Sequence, residues 1–475
     1  MIDTNIIREK ILDLAMKGKL VDQDVRDGNA KLLLADIERE KSQLIKEKKI
    51  KTQKALPAIN QDEIPYEIPE NWTWVRLDDI ATFHMGKTPS KSQSEYWESE
   101  DYPWVTIADM KQSKIIKDTN TYVSESAYKN VFKKNISRAG DLLMSFKLTI
   151  GRTSILGVDA FHNEAIVTIS NYLESEIIKY YLMYTLPILS NYGQQVNAIK
   201  GKTLNKQLIR KILIPIPPLA EQERIVEKIE EIFKILDTID ASQKQITDLS
   251  HLLKEKVLDR ALRGELVNQN TDDGLAINLL NDLDNKYSSV ILDDNNYSFP
   301  HSIPSNWSWT HLRNLCTTIG GFAFKSKDLK GLEGVRIIRI SDFNEYGIIK
   351  QPVVRTPFIE KYEKFEILEN DILMAMTGGS VGKNTIVKSI DEPLYSNQRV
   401  ATIRVFDEIY PLYVFYVIQS EYIKNIINFS KNSFNDNISM KTIKNFPIPL
   451  PPLEEQKRIV EAIEDIFASI NQLTD

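Results

Sequence analysis

The sequence predicts an α+β protein. It has two mixed α+β domains separated by long antiparallel coiled-coil helices, closed into a circular pseudo-two-fold arrangement. Three observations carry this. Blocks of sequence occur twice at a nearly constant offset. A long stretch between them has the 4-3 apolar spacing of a coiled-coil seam. The stretches on either side alternate short β-type runs with turn residues, and each closes on a helical pattern.

Composition sets the bounds. At 475 residues the chain is too long for one ordinary domain. Its 42% hydrophobic fraction is enough for sizeable cores and excludes wholesale disorder. The one cysteine, Cys316, excludes a disulfide framework or a cysteine-based zinc site. The five histidines, His84, His162, His251, His301 and His311, form no metal-ligand pattern. There is no apolar stretch of membrane-spanning length and no signal-peptide core at Met1–Arg8, so the expectation is a cytoplasmic protein without membrane contact. The net charge of −6 by itself argues mildly against a nucleic-acid partner.

The repeats give the organisation. Ile68-Pro-Glu-Asn-Trp-Thr-Trp returns as Ile303-Pro-Ser-Asn-Trp-Ser-Trp. Pro215–Phe233 returns as Pro449–Phe467, with fourteen of 19 positions identical. Arg8–Val21 returns as Lys254–Val267. The centre carries both helical motifs in succession, whereas the N-terminus holds only the second and the C-terminus only the first. The chain is therefore cut inside a repeat unit, and residues 1–60 and 449–475 should together rebuild what the centre has in one piece. This is the basis of the circular arrangement and of neighbouring termini.

Taken in order, residues 1–60 form an N-terminal helical region that completes the distal spacer. Ile7–Met16 and Leu32–Ile45 are helical by pattern, and the lysine-rich 41–54 stretch is a polar connection. Residues 61–214 are the first mixed domain, with strands over Trp104–Ile107 and Ala165–Ile169 and a helix over Ile177–Leu186. Residues 215–295 are the central spacer. Pro217-Pro218 opens a helix in its first turn. Ile225, Ile229, Ile232, Leu236, Ile239, Ile246, Leu253 and Val257 then make the seam, with Gln243 and Ser250 as polar interruptions. Running to Gly264, the helix would be about 70 Å long. Residues 296–448 are the second mixed domain, with strands over Val335–Ile340 and Val400–Val405 and one helix over Tyr410–Ile426. Residues 449–475 are the C-terminal helical region.

Catalytic motifs fail their structural requirements. Ala81-Thr-Phe-His-Met-Gly-Lys-Thr88 fits a permissive phosphate-loop pattern, but turn residues from Pro89 onward replace the helix that would hold the phosphates. Residues 196–203 lack the first glycine, and Thr377–Asn384 lacks both that glycine and the final hydroxyl. Glu-x-Lys triplets such as Glu455-Gln-Lys457 read as solvated helix faces. The chain is expected to carry no catalytic residue, metal ligand or cofactor of its own.

What remains suits a two-part partner. Same frame, diverged side domains is what an asymmetric bipartite duplex requires. In the first domain Lys87, Thr88, Ser90 and Lys91, with Lys147, Arg152, Lys200, Lys202 and Thr203, supply cations and hydroxyls suited to phosphate. In the second, Lys325, Ser326, Lys327 and Lys383 match them. Asn397-Gln398-Arg399 suits base edges, and His162-Asn-Glu164 stands in the equivalent place. Trp72, Trp74, Trp97, Trp104, Trp307 and Trp309 are assigned to structure.

Jointly, these marks resemble the specificity (S) subunits of type I restriction-modification systems, over nearly the whole chain. They are the doubled Pro-Pro-Leu-x-Glu-Gln-x-Arg-Ile-Val, the doubled Ala-x-x-Gly-x-Leu-Val and the doubled Ile-Pro-x-Asn-Trp. Gly86-Lys-Thr-Pro-Ser and Gly320-Gly-Phe-Ala-Phe-Lys-Ser326 are similar to openings of target-recognition domains. The resemblance implies a non-catalytic subunit that reads a split target in double-stranded DNA. Its helices would space the two reading domains and dock two methyltransferase subunits, with restriction subunits as further partners. It implies S-adenosylmethionine, ATP and magnesium on those partners. The alternatives are a methylation-only complex, a coiled-coil scaffold and, remotely, a nucleotide hydrolase using Ala81–Thr88.

The charge then divides informatively. Residues 68–214 and 303–448 each balance at +3, and the remainder carries −12. Weakly basic reading domains on an acidic frame imply that the isolated chain binds DNA poorly.

Overall fold

The computed structural model describes residues 1–147, 149–192, 196–198, 201–287, 301–325, 333–350, 353–430 and 437–474. The chain divides into two compact units, residues 2–242 and residues 243–475 with Met1.

The longest element is the helix Leu219–Leu262, 44 residues, close to the length expected from the seam. It begins after Pro218, whose carbonyl accepts from the amides of Glu221 and Gln222. The proline therefore caps the helix rather than lying in its first turn. Its end is set by Gly264, which takes a φ of +72° that a side chain would strain. The two ends of this helix are packed: Ile225, Ile229, Leu236 and Val257 are buried. In its middle the seam opens, with Ile246 41% and Leu253 47% exposed. The helix expected over Leu32–Ile45 is present as Ala30–Lys46, and it takes in the start of the lysine-rich 41–54 stretch, expected as a polar connection. Leu33 and Ile37 anchor one face of that helix in the core.

In the 2–242 unit, the helix Thr4–Met16 packs beside the first half of the long helix. Arg8 bonds Asp237 at 2.8 Å and Asp240 at 3.0 Å, and stands 5.0 Å from the centre of the Phe233 ring. In the other unit, Lys254 bonds Asn471 at 2.6 Å and stands 5.6 Å from the Phe467 ring, on the helix Leu453–Asn471. The repeat offsets place Arg8 with Lys254, Phe233 with Phe467 and Asp237 with Asn471. One contact is thus built twice.

The mixed domains also share a topology that their sequences barely show. In the first, a five-stranded sheet runs Ala81–Met85, Ile166–Asn171, Leu142–Ser145, Thr153–Leu156, Lys114–Ile116. In the second, a four-stranded sheet runs Cys316–Gly320, Val400–Val405, Ile372–Ala375, Asn384–Ile386. Among the described residues the order is the same, less the parallel edge strand. A three-stranded sheet accompanies each. Its middle strand, Tyr102–Val105 or Val335–Ile338, pairs antiparallel with one neighbour and parallel with the other. Each domain is closed by a pair of short strands, Thr73–Arg76 with Leu213–Ile216 and Ser308–His311 with Pro447–Leu450. A fully buried tyrosine pins each closure, Tyr181 donating to the Pro215 carbonyl at 2.6 Å and Tyr413 to that of Pro449. The helix expected over Tyr410–Ile426 is two, Pro411–Gln419 and Glu421–Ser430. Ser420 breaks it by turning extended and capping the second, accepting from the Ile423 amide at 3.4 Å.

The three doubled motifs meet at one buried carboxylate per unit. Glu221 accepts from Trp72 Nε1 at 2.9 Å, Asn71 Nδ2 at 3.3 Å and Gln23 Nε2 at 2.5 Å. Glu455 accepts from Asn306 Nδ2 at 3.2 Å and Gln269 Nε2 at 2.6 Å, while the indole N–H of the buried Trp307 is left without a hydrogen-bond partner. Both glutamates are fully buried. Burial pushes both carboxyls above the ordinary range, outweighing their hydrogen-bond donors. This corrects the expectation that Glu455 lies on a solvated face. The next glutamine, Gln222 or Gln456, ties back to the carbonyl of Pro217 or Pro451 at 2.9 Å. The arginine one turn on, Arg224 or Arg458, grips both oxygens of Asp27 or Asp273. The glycines of the second motif complete the joint. At Gly18 a Cβ would lie 2.4 Å from Pro69 Cγ, and at Gly264 it would lie 2.3 Å from Pro304 Cγ.

Removing Glu221 leaves the buried Trp72 N–H unpaired and strips the half-buried Asn71 amide of its acceptor. Glu221→Ala should destabilise its unit by at least about 2 kcal/mol. Glu221→Gln should cost about 1–3 kcal/mol, because its amide nitrogen must face a donor. Denaturant unfolding of both variants, with Glu455→Ala as the equivalent change in the other unit, checks this. An unchanged midpoint would contradict it.

Candidate nucleic-acid interface

The structure brings together residues that are far apart in sequence, and does so the same way in both domains. In the first, the loop after the strand Ala81–Met85 lies against the turn 163–165. Gly86 N donates to Ile166 O at 3.1 Å, and Lys87 N to His162 O at 2.9 Å. Asn163 N donates to Val105 O at 3.0 Å, and Phe146 N to Ala165 O at 2.9 Å. In the second, Gly321 N donates to Val400 O at 3.1 Å and Phe322 N to Ser396 O at 2.9 Å. Asn397 N donates to Ile338 O at 3.0 Å, and Met376 N to Arg399 O at 2.9 Å. The four bonds correspond one to one. Glycine is required at both contacts: a Cβ at Gly86 would lie 2.1 Å from Asn163 O, and at Gly321 2.0 Å from Asn397 O.

At this junction the exposed side chains of the first domain are Lys87, Thr88, Ser90, Lys91 and Glu164. Thr88 Oγ1 donates to Glu164, Lys87 Nζ reaches the Val131 carbonyl at 2.9 Å, and Ser90 Oγ bonds Ser92 at 2.8 Å. Trp97 and Trp104 stand beneath this loop. Their indole N–H groups donate to the carbonyls of Ser90 and Lys87, both at 3.1 Å, which is the structural role expected of them. In the second domain Lys325, Gln398 and Arg399 are exposed, and Asn397 is half-buried.

Other candidate cations turn inward. Arg152 donates to the carbonyls of Ile107 at 3.1 Å and Met110 at 3.4 Å. Lys383 donates to the carbonyl of Ile340 and lies 4.9 Å from the Phe343 ring; burial lowers its pKa. These are equivalent clamps. In each case the clamped carbonyl belongs to a turn closed by an aspartate, Asp109 accepting from Thr106 N at 2.8 Å and Asp342 from Arg339 N at 3.0 Å. Lys147 is half-buried with its ammonium 5.7 Å from the Phe146 ring. Lys202 and Thr203 belong to the strand Gly201–Thr203, paired with Val196–Ala198. Lys200, Ser326 and Lys327 lie outside the described residues. The phosphate-loop pattern is the strand Ala81–Met85 followed by an irregular loop, without the helix that such a site needs.

Below the first junction His162 is buried. Its Nε2 shares a 2.8 Å bond with Thr168 Oγ1, which bonds Ser137 Oγ at 2.9 Å. Burial pushes its pKa down to about 4, with His84 nearby adding to the effect. Among the described residues, no cluster of His, Cys, Asp and Glu side chains is arranged to hold a metal ion, and no helix is long and apolar enough to cross a membrane.

Comparison with known proteins decides the family. The family model described as "Type I restriction modification DNA specificity domain" matches residues 69–248 and again residues 304–475. The chain belongs to that family. It is similar to the specificity subunit of type I restriction enzyme EcoAI from Escherichia coli, 25% identical over 98% of this chain and 89% of that one. It is also similar to the specificity subunit of MjaVIII from Methanocaldococcus jannaschii, 25% identical over 84% of this chain and 87% of that one. A chain from a solved type I restriction-modification system shares the fold. It has a TM-score of 0.59 and 19% identity, and the match covers 86% of this chain and 93% of that one. These subunits are the non-catalytic, DNA-directed members of type I systems, so the expectation of a specificity subunit holds and the scaffold and hydrolase alternatives are not favoured.

The pKa of His162 has a measurable consequence. An unfolded histidine titrates near 6.5, so between there and about 4 the unfolded chain binds a proton that the folded chain does not. Stability should therefore fall as the pH drops through this window. The contribution of this residue reaches roughly 2 kcal/mol at pH 5. Replacing it, as in His162→Gln, should narrow the gap between unfolding free energies at pH 7.5 and pH 5 by that amount. An unaltered gap would show that His162 is not the titrating group.

Proposed function

We propose that this chain recognises a bipartite target in double-stranded DNA. Each mixed domain reads one half, and the helices hold the reading domains and dock two methyltransferase subunits, with restriction subunits joining the same complex. In this reading S-adenosylmethionine, ATP and magnesium belong to the partners, and the complex works in the cytoplasm. The single observation that carries it is the duplicated junction. One backbone framework, fixed by four equivalent hydrogen bonds and a glycine, presents different exposed side chains in the two domains. A frame held constant while its exposed residues change is what two reading heads for two unlike half-sites need. In this reading Lys87, Thr88, Ser90 and Lys91 in the first domain and Lys325 in the second contact phosphate. Asn397, Gln398 and Arg399 read base edges.

Methylation sequencing of a host carrying the partner genes, with and without this gene, should show one split motif that depends on it. No dependent motif would end the reading. Exchange of residues 303–448 for the corresponding domain of a relative should alter one half-site and spare the other. Because Arg152 and Lys383 grip backbone carbonyls, Arg152→Met should leave the salt dependence of DNA binding by the assembled complex unchanged. A phosphate contact would instead lower the log–log slope by about 1.

A further inference from the structure

The two junctions differ at the tip of the turn. Glu164 occupies it in the first domain and Gln398 in the second, at an offset of 234, and both are exposed. The residues on either side are fixed. Asn163 and Asn397 are held by their amides on Val105 and Ile338, and their carbonyls accept from Ile166 N at 3.2 Å and Val400 N at 2.8 Å. Ala165 and Arg399 are held through their carbonyls by Phe146 and Met376. The tip is therefore a place in each junction where the side chain is exposed in both domains and changes while the backbone under it does not. In the first domain Thr88 also engages the Glu164 carboxylate, which orients it from the neighbouring loop.

We propose that this tip position is the specificity-determining residue of each half-site, Glu164 selecting cytosine and Gln398 selecting adenine. The proposal rests on the reading of these domains as DNA-reading heads. The chemistry follows from donors and acceptors. An ionised carboxylate accepts and cannot donate, so it needs a base edge that offers an amino group without an adjacent acceptor to repel it. In the major groove cytosine N4 is that group, whereas adenine N6 stands beside the acceptor N7. A carboxamide carries one donor and one acceptor, which match N7 and N6 of adenine together. A rigid turn is suited to this work, because a base contact discriminates only when its side chain cannot follow a wrong base.

The test uses the full chain co-expressed with its methyltransferase partner, read by methylation sequencing and by selection from a randomised duplex library with the purified complex. Glu164→Gln should weaken discrimination for cytosine at one position of one half-site by about 10- to 100-fold and move it toward adenine. The other half-site should not change. Gln398→Glu should do the reverse in the other half. Base preferences that stay as in the wild type in both variants would overturn the proposal, as would a change in both half-sites from one substitution. If a variant no longer supports methylation, the library selection decides: retained wild-type preference overturns the proposal, and altered preference at one position supports it. The wild-type complex is the control on the broader reading. If it selects no split motif, that reading has failed and not merely the assignment of the tip.

Discussion

Everything in each unit is positioned from one buried carboxylate. Glu221 and Glu455 sit where a helix begins, and each collects donors from two other chain segments distant in sequence. Burying such a group is costly unless its acceptors are filled, and here asparagine and glutamine fill them in both units, joined by Trp72 at Glu221. The consequence is geometric. The start of the long helix, the loop after the preceding helix and the entry strand of the mixed domain cannot move independently. The neighbouring Arg224–Asp27 and Arg458–Asp273 pairs and the tight glycine–proline contacts fix the remaining freedom. The same joint therefore sets both the direction of the helical frame and the seat of the reading domain.

This explains why the helical motifs repeat almost letter for letter while the domains do not. A joint made of specific donors around a buried charge tolerates little substitution. A mixed sheet tolerates much, provided that its inward positions stay apolar and its closures stay in register. Among the described residues the second domain shows no edge strand matching Lys114–Ile116, and it puts Ser396 where the first has His162, yet its strand order is preserved. What constrains the domains is backbone: the four bonds of the junction, and glycines where a Cβ would strike a carbonyl.

Much of this was legible in the sequence, and the misses have physical causes. The seam spacing gave the long helix to within a few residues, and Val400–Val405 is a strand as its β-branched run predicted. The repeats announced two equivalent halves. Periodicity could not show that Ser420 would take an extended conformation inside an apolar run and start a second helix. Nor could it show that Glu455 is buried, because its two donors lie 149 and 186 residues away. Arg152 and Lys383 read as free cations for the same reason. The carbonyls that they grip become neighbours only after the sheet forms. The candidates that stayed exposed, such as Lys87, Lys91 and Arg399, are those on loops next to a glycine or at a turn.

The inward cations also sharpen the meaning of the charge balance. Each domain has an excess of +3, but part of its basic complement is already committed to holding turns in place. The charge available for phosphate is thus smaller than the formal count. An affinity built from so few phosphate contacts is weak, and its dependence on salt is shallow. What the subunit contributes is discrimination. A few side chains on a rigid turn can distinguish bases while contributing little to total affinity, and separating the two tasks lets the reading heads diverge without loosening the complex that carries them.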